Sequence, residues 1–142
     1  MRRLAVLSLH TSPLAQPGTG DGGGMNVYVR ELTAALARSG VACDVFTRAW
    51  SADLPPVVDV EPGLRVHHVP AGALDVLPKE SLPAVVDEFT AGVLQRMAMP
   101  IWLDLLCTSG PGMTAFMAAL RMATTGFGVL AGTDKPFQLA TS

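Results

Sequence analysis

The residues of this chain best suited to chemistry stand between an apolar run that ends at Leu9 and a helical pattern that starts near Met25. Five glycines occur within the seven positions 18–24, and polar side chains stand among and beside them: His10, Gln16, Asp21 and Asn26. Glycine leaves backbone N–H groups unshielded, and a helix start adds the positive end of its dipole. This combination indicates a loop that binds an anionic ligand, because a flexible linker would need neither the polar side chains nor a strand and a helix beside it.

Length and composition favour one modest domain. The 142 residues are 49% hydrophobic and 15% charged, and the formal net charge of −2 offers no basic surface to a nucleic acid. Cys43 and Cys107 form neither a disulfide framework nor a metal-ligand pair, which is typical of a reducing cytoplasm. We therefore expect a cytoplasmic protein without a metal and without a nucleic-acid partner.

Hydrophobic periodicity predicts alternating strands and helices. Residues 4–9 form a nearly continuous apolar run, typical of a strand buried on both faces, and 41–47 and 64–69 are further strand candidates. A first helix is predicted over 27–39, with Asn26 as its cap, Gly40 as its end and an apolar face of Met25, Tyr28, Val29, Leu32 and Leu36. A second helix is predicted to end before Pro100, with an apolar face of Leu82, Val86, Phe89, Val93 and Met97. The pattern indicates an α/β fold with a parallel sheet and flanking helices.

Ligands of such sheets bind outside the carboxyl ends of the strands. The glycine loop after the first strand lies there, and the loop with Arg48 and Trp50 and the loop after Val69 should open on the same edge. The sequence therefore predicts one cleft shared by three loops.

Two other patterns carry less weight. His67 and His68 are neighbours on a strand, so they face opposite sides of the sheet and cannot hold one metal together. Gly18, Gly20 and Gly23 satisfy the spacing of a dinucleotide fingerprint, with Asp44 near the distance of a ribose contact. However, the fingerprint starts nine positions after the strand, and Asp44 lies inside the second strand. An NAD-dependent oxidoreductase is therefore the weaker alternative.

Several segments together resemble the N-terminal, family 4-like domain of retaining GT-B glycosyltransferases. They are SLHTSPLAQPG at 8–18, GGMNVYV at 23–29, FTR at 46–48 and DLPP at 53–56. Within that superfamily they are most similar to the D-inositol-3-phosphate glycosyltransferases of mycothiol biosynthesis. The resemblance covers about residues 2–96 and implies a Rossmann-like half of a GT-B fold, incomplete in this chain.

The resemblance also implies site residues, substrates and partners. The acceptor, 1D-myo-inositol 3-phosphate, would contact His10, Asp21, Gly22, Gly23, Gly24, Met25, Asn26 and Lys79, and the donor, UDP-GlcNAc, would contact Gln16, Pro17 and Gly24. No catalytic residue, metal or cofactor besides the donor sugar is assigned, and the family implies a homodimer. The chemistry fits, since retaining transfer needs donors for the departing diphosphate and a firmly placed acceptor hydroxyl.

The resemblance stops near residue 96. Residues 97–142 carry only four charged side chains, and they lack the His-x-His-Tyr-Trp element that follows in the family. The uncharged stretch 105–120 is interrupted by Gly-Pro-Gly and is shorter than the ~18 residues of a membrane span. Our hypothesis is a divergent, poorly ordered apolar tail, read from a shifted frame of a once longer transferase gene.

The predicted function is that of an N-terminal transferase fragment that is inactive alone, because the family's second domain supplies the groups that hold the donor diphosphate. Besides the oxidoreductase, a non-enzymatic α/β module that binds a polyol phosphate or a protein remains an alternative.

Overall fold

The computed structural model describes residues 2–16, 24–97, 104–108, 128–132 and 138–140, and it describes side chains for 3–16 and 24–97. In chain order the elements are β1 (Arg2–Ser8), α1 (Gly24–Arg38), β2 (Val41–Arg48), β3 (Val57–Glu61), β4 (Leu64–Val69), a 3-10 helix (Lys79–Val85), α2 (Val86–Arg96), β5 (Asp104–Thr108), β6 (Gly128–Gly132) and β7 (Gln138–Ala140).

The described strands form one sheet in the order β3-β4-β2-β1-β5-β6-β7. The neighbours from β4 to β6 pair in parallel, whereas the outer strands β3 and β7 are antiparallel to theirs. The predicted α/β fold with a parallel sheet is therefore confirmed. Since β1 lies at the centre, the loop that follows it emerges in the middle of the carboxyl edge.

Both faces of β1 are buried, as its nearly continuous apolar run predicts. Leu4 and Val6 pack into a cluster on the α1 side that includes Val29 and Val45. Leu7 belongs to the opposite cluster, together with Phe46, Val69, Phe89 and Val93 from β2, β4 and α2. Each fully buried aliphatic side chain contributes about 1.5–3 kcal/mol by leaving water, so the two layers hold the sheet between its helices.

Helix α1 starts earlier than predicted. It begins at Gly24, so Asn26 lies within its first turn, and the prediction that Asn26 caps the helix is wrong. Of the predicted apolar face, Val29 is buried and Leu32 and Leu36 pack half-buried against the same core, whereas Met25 and Tyr28 are exposed. The fully buried positions of the helix are Asn26, Val29, Thr33 and Ala34. Small side chains at the last two positions let the helix approach the sheet closely.

The predicted end of α1 is confirmed. Gly40 adopts φ +93°, a left-handed conformation that favours glycine, and its N–H donates to the carbonyl oxygen of Ala37 at 3.1 Å.

The predicted apolar face of the second helix is also confirmed. Leu82, Val86, Phe89, Val93 and Met97 are all buried, with Leu82 in the 3-10 helix that precedes α2. Helix α2 ends at Arg96, as expected from the approaching Pro100.

The edge strand β3 was not predicted. It pairs with β4 through a tight turn at Gly63, where φ is +84°. Its five residues alternate only weakly between exposed and half-buried positions, because water covers one side of an edge strand.

The sheet continues beyond residue 96, where the predicted domain boundary lies. Strand β5 pairs with β1 from Leu4 to Leu7, and β6 and β7 follow outward. Most of the predicted tail at 97–142 lies outside the described residues. The shifted reading frame concerns the gene and stays a prediction.

Candidate functional site

The carboxyl ends of β1, β2 and β4 surround a cavity of about 520 Å³. Three loops supply its walls, so the predicted shared cleft is confirmed. The lining residues are Leu9, His10, Thr11, Ser12, Ala15 and Gln16 after β1, Thr47, Arg48 and Trp50 at the end of β2, and Val76, Leu77 and Leu82 after β4. The volume suits a small-molecule ligand.

The first wall is a turn held by its own hydrogen bonds. The Ser8 hydroxyl donates to the carbonyl oxygen of Thr11 at 2.8 Å. Ser12 accepts twice, from the N–H of Leu14 at its hydroxyl (3.1 Å) and from the N–H of Ala15 at its carbonyl (3.0 Å). Hydroxyl-to-backbone bonds of this kind stabilise tight turns, so His10 and Gln16 are presented from a fixed backbone.

The first turn of α1 meets this wall through one side-chain contact. The Thr11 hydroxyl donates a short hydrogen bond to Oδ1 of Asn26. Asn26 is 2% exposed, and its Nδ2 has no hydrogen-bond partner among the residues that the structure describes. A buried amide donor without a partner is costly.

Arg48 holds the third wall of the cavity, the segment after β4, through hydrogen bonds to its backbone. Its guanidinium donates to the carbonyl oxygens of Ala71 (3.2 Å) and Ala73 (2.7 Å), and to that of Asp75 over a short distance. Burial lowers its pKa from the ordinary value, while the charge of Asp75 acts in the opposite direction. The arginine remains charged at neutral pH, and it fixes the backbone that leads to Val76.

Trp50 contributes an aromatic surface to the cavity. Its ring stands edge-on to His68, with 5.7 Å between the ring centroids and 88° between the planes. Nδ1 of His68 donates in turn to the carbonyl oxygen of Pro55 at 2.7 Å. The histidine therefore braces the loop between β2 and β3 and fixes the tryptophan beside the cavity.

The predicted acceptor and donor residues are partly brought together. His10 and Gln16 line the cavity, and Gly24 and Asn26 lie in the first turn of α1. Met25 is exposed beside them. Pro17, Asp21, Gly22 and Gly23 lie outside the described residues.

Lys79 is the first residue of the 3-10 helix, two positions after Leu77 of the cavity wall, and it is exposed. Lys79 is not among the residues that line the cavity.

Asp44 lies in the middle of β2 and is not among the residues that line this cavity. Its carboxylate, 1% exposed, accepts from Nε2 of His67 at 2.6 Å and pairs with Arg65 at 2.8 Å and Arg3 at 3.1 Å. Burial raises its pKa, but the hydrogen bond from His67, the charges of Arg65 and His67 and the hydrogen bond from Arg3 lower it below the ordinary value. Because these contacts occupy its carboxylate, Asp44 is not available for the ribose contact that the dinucleotide alternative requires.

The two neighbouring histidines face opposite sides of the sheet, as predicted. The His67 ring stacks on Phe46 at 4.6 Å on the α2 side, whereas His68 contacts Trp50. Within the searched part of the chain, no three His, Cys, Asp or Glu side chains group as metal ligands. Across the same described residues, no helix has the length and apolar character that crossing a membrane requires.

Sequence reasoning missed two functional features of this cleft. The sequence motif gives Thr11 no role of its own, because its bond to Asn26 depends on how the loop after β1 meets α1. The apolar wall of Val76, Leu77 and Leu82 was not predicted either, because the loop after β4 carries no periodic signal.

Comparison with known proteins agrees with this geometry. The family described as "Glycosyl transferase 4-like domain" matches residues 23–131, which extends past residue 96. A D-inositol 3-phosphate glycosyltransferase from Xylanimonas cellulosilytica is 54% identical over 123 residues, covering 84% of this chain and 30% of that protein. The enzyme of the same name from Geodermatophilus obscurus is 61% identical over 97 residues, covering 68% of this chain and 22% of that protein. The chain thus spans less than a third of the length of these relatives.

A solved structure shows the same fold. Sucrose-phosphate synthase from Thermosynechococcus elongatus superimposes with a TM-score of 0.86 at 28% identity, over 92% of this chain and 32% of that one. The sheet, the cleft at its carboxyl edge and the sequence matches lead to one assignment: this chain belongs to the glycosyl transferase 4-like domain family and has the fold of a Rossmann-like GT-B half.

Proposed function

We propose that this chain is the acceptor-binding half of a retaining glycosyltransferase that transfers N-acetylglucosamine from UDP-GlcNAc to 1D-myo-inositol 3-phosphate, a step of mycothiol biosynthesis. The observation that carries the proposal is the cavity at the carboxyl edge, with His10 and Gln16 in its wall and the α1 first turn beside it. The names of the relatives support the choice of acceptor.

The residues have complementary chemical roles in this proposal. The imidazole of His10 exchanges hydrogen bonds with hydroxyls of the cyclitol, and Asn26 donates from its amide. The phosphate is held by the ammonium of Lys79 and by backbone N–H groups from Asp21 to Met25, beside the positive end of the α1 dipole. Gln16, Pro17 and Gly24 approach the donor sugar. Such positioning lowers the barrier because the acceptor hydroxyl is held in place for transfer.

We further propose that these 142 residues bind the acceptor without turning over. The negative charge on the departing diphosphate must be stabilised in the transition state. Among the described residues that line the cavity, Arg48 is the only lysine or arginine. Its guanidinium already donates hydrogen bonds to backbone carbonyl oxygens. The complete enzyme would be a cytoplasmic homodimer.

A chimera tests this function. Residues 1–96 replace the corresponding segment of the Geodermatophilus obscurus relative, and transfer from UDP-GlcNAc is measured with inositol 3-phosphate, free inositol and fructose 6-phosphate as acceptors. We expect transfer to inositol 3-phosphate only, with a loss of at least tenfold in His10→Ala. The 142-residue chain alone should give no product. A folded chimera that prefers another acceptor would contradict the proposal. A folded chimera whose transfer from UDP-GlcNAc does not increase when inositol 3-phosphate is added would also contradict it and would favour a non-enzymatic module.

A further inference from the structure

We propose that Trp50 is a substrate-binding residue whose indole stacks on the C–H face of the cyclitol ring of the acceptor. This inference deepens the proposed function and rests on it, because that function supplies the acceptor. Neither the resemblance nor the similarity to the relatives gives this tryptophan a role.

The cavity wall has a polar part and an apolar part. The loop after β1 brings polar side chains to it, among them His10 and Gln16. The segment after β4 contributes Val76 and Leu77, which are apolar, and Trp50 adds an aromatic surface just after β2. A ligand that fills this cavity must therefore present hydrogen-bonding groups to one part of the wall and apolar surface to the other.

The ring of the proposed acceptor has both kinds of surface. In the chair form of myo-inositol all oxygen substituents except one are equatorial, so they surround the ring, while most C–H bonds point along its axis. One face of the ring therefore carries C–H groups and no axial hydroxyl. The face of an indole is electron-rich and attracts such C–H groups, and their contact removes apolar surface from water.

Trp50 is held at the cavity through its backbone and through its ring. The preceding residue, Ala49, is buried, and its N–H donates to the carbonyl oxygen of Val69 at 2.9 Å. The Trp50 ring stands perpendicular to that of His68, which is 3% exposed and hydrogen-bonded to the carbonyl oxygen of Pro55. The indole is therefore held before a ligand binds, and stacking costs little side-chain freedom.

The accessible surface of Trp50 remains to be explained. The residue is half-buried, and it forms part of the cavity wall. Apolar surface in contact with water is unfavourable, so a tryptophan that only braced the loop would be more stable with its ring buried completely. A ligand ring that covers the indole removes this surface from water.

Fluorescence and calorimetry test the contact on the 142-residue chain. Its two tryptophans are Trp50 and Trp102, so Trp102→Phe leaves Trp50 as the single reporter. Titration with 1D-myo-inositol 3-phosphate should change the Trp50 emission with the midpoint that calorimetry gives. Inorganic phosphate, which has no ring, should leave the emission unchanged.

Substitutions at position 50 separate stacking from packing. We expect Trp50→Leu, which keeps an apolar side chain, to weaken binding about fivefold to tenfold, and Trp50→Phe to stay within about threefold of the parent chain. Tyr28→Leu is the matched control, because Tyr28 is an exposed aromatic residue that does not line the cavity. Its affinity should change by less than about twofold. Thermal unfolding verifies that each variant is folded, and if Trp50→Leu is not, the emission response of Trp102→Phe decides.

The outcomes distinguish the two proposals. If calorimetry detects no binding of inositol 3-phosphate to the parent chain, the proposed function fails and this inference fails with it. If the parent chain binds but the Trp50 emission does not change, or folded Trp50→Leu binds as tightly as the parent chain, only the role of Trp50 is overturned. An equal emission change with inorganic phosphate would also overturn it, because the emission would then not report the ring.

Discussion

Nη1 of Arg48, at the end of β2, donates a 2.7 Å hydrogen bond to the carbonyl oxygen of Ala73, in the loop that follows β4. This bond joins two of the three walls of the cleft. The same guanidinium also reaches the carbonyl oxygens of Ala71 and Asp75. Arg48 at the carboxyl edge therefore stabilises the shape of the cleft. Its planar guanidinium donates several hydrogen bonds in fixed directions, which the ammonium of a lysine cannot do.

Replacing Arg48 by lysine should loosen the third wall. One ammonium cannot satisfy carbonyl oxygens spread over five residues, so we expect a loss of about 1–3 kcal/mol in the free energy of unfolding and faster proteolysis within 70–78. Arg38→Lys is the matched control. Its pair with Glu61 is exposed, and such pairs contribute about 0–1 kcal/mol. Equal stability and equal cleavage of the two variants would argue against the bracing role of Arg48.

Asp44→Asn should destabilise the chain in a pH-dependent way. Removing the buried carboxylate that joins Arg3, Arg65 and His67 should cost about 2–3 kcal/mol at pH 7. Its folded pKa is lowered below the unfolded value of about 3.9. The stabilising contribution is therefore present above about pH 4 and is lost as the pH falls through the folded pKa.

Urea unfolding at pH 7 and pH 3 measures this difference. The difference in the free energy of unfolding between the parent chain and Asp44→Asn should become smaller in acid. Protonation removes from the parent the contribution of the ionised carboxylate, which the variant lacks at every pH. A gap that stays constant or widens would show that the carboxylate does not act through its charge.

Gly92→Ala should weaken the packing of α2 on β4. A Cβ at this position would lie 2.5 Å from Cγ1 of Val69, so that the valine side chain, the helix or the strand must shift. We expect a loss of about 1–3 kcal/mol, partly offset by the higher helix propensity of alanine, about 1 kcal/mol. Thermal denaturation of the double variant Gly92→Ala, Val69→Ala checks the cause. The second change should cost less in this background than alone, and simple additivity would exclude the clash.

The Cys43 thiol should be inert in the folded chain. Burial, followed by the negative charge of Asp44, raises its pKa to about 11, so at pH 8 only on the order of one thiol in a thousand is ionised. In a Cys107→Ser background, labelling with a chromogenic disulfide should be slow in buffer and rapid in urea. Rapid stoichiometric labelling without denaturant would mean that β2 is open to solvent.

Local patterns predicted much of this fold because they are strong. The apolar run of β1 is favourable only where both faces of the strand are buried. The spacing of Phe89 and Val93 defines a helix face that the structure confirms. The start of α1 was harder to predict, since Gly24 is the last of a run of glycines that is typical of a loop. The weakly alternating edge strand β3 gave no signal of its own.

The site likewise contains residues that the local sequence predicts and contacts that it does not predict. His10 and Gln16 could be assigned from the sequence because both follow the central strand and stand beside a glycine loop. The link from Thr11 to Asn26 joins positions fifteen residues apart, and Arg48 reaches residues more than twenty positions away. Such contacts depend on how loops meet at the edge of the sheet, which periodicity does not contain.

The proposed function requires that the cleft at the carboxyl edge binds a phosphorylated cyclitol. It is tested most directly by NMR mapping of backbone amides of the 142-residue chain during titration with 1D-myo-inositol 3-phosphate, and with myo-inositol as the control. We predict saturable shifts at Thr11, Gln16 and Gly24 through Asn26, and much smaller shifts with the unphosphorylated compound. Shifts confined to the opposite edge around Asp44 and Arg65, or no saturable shift at all, would contradict the account.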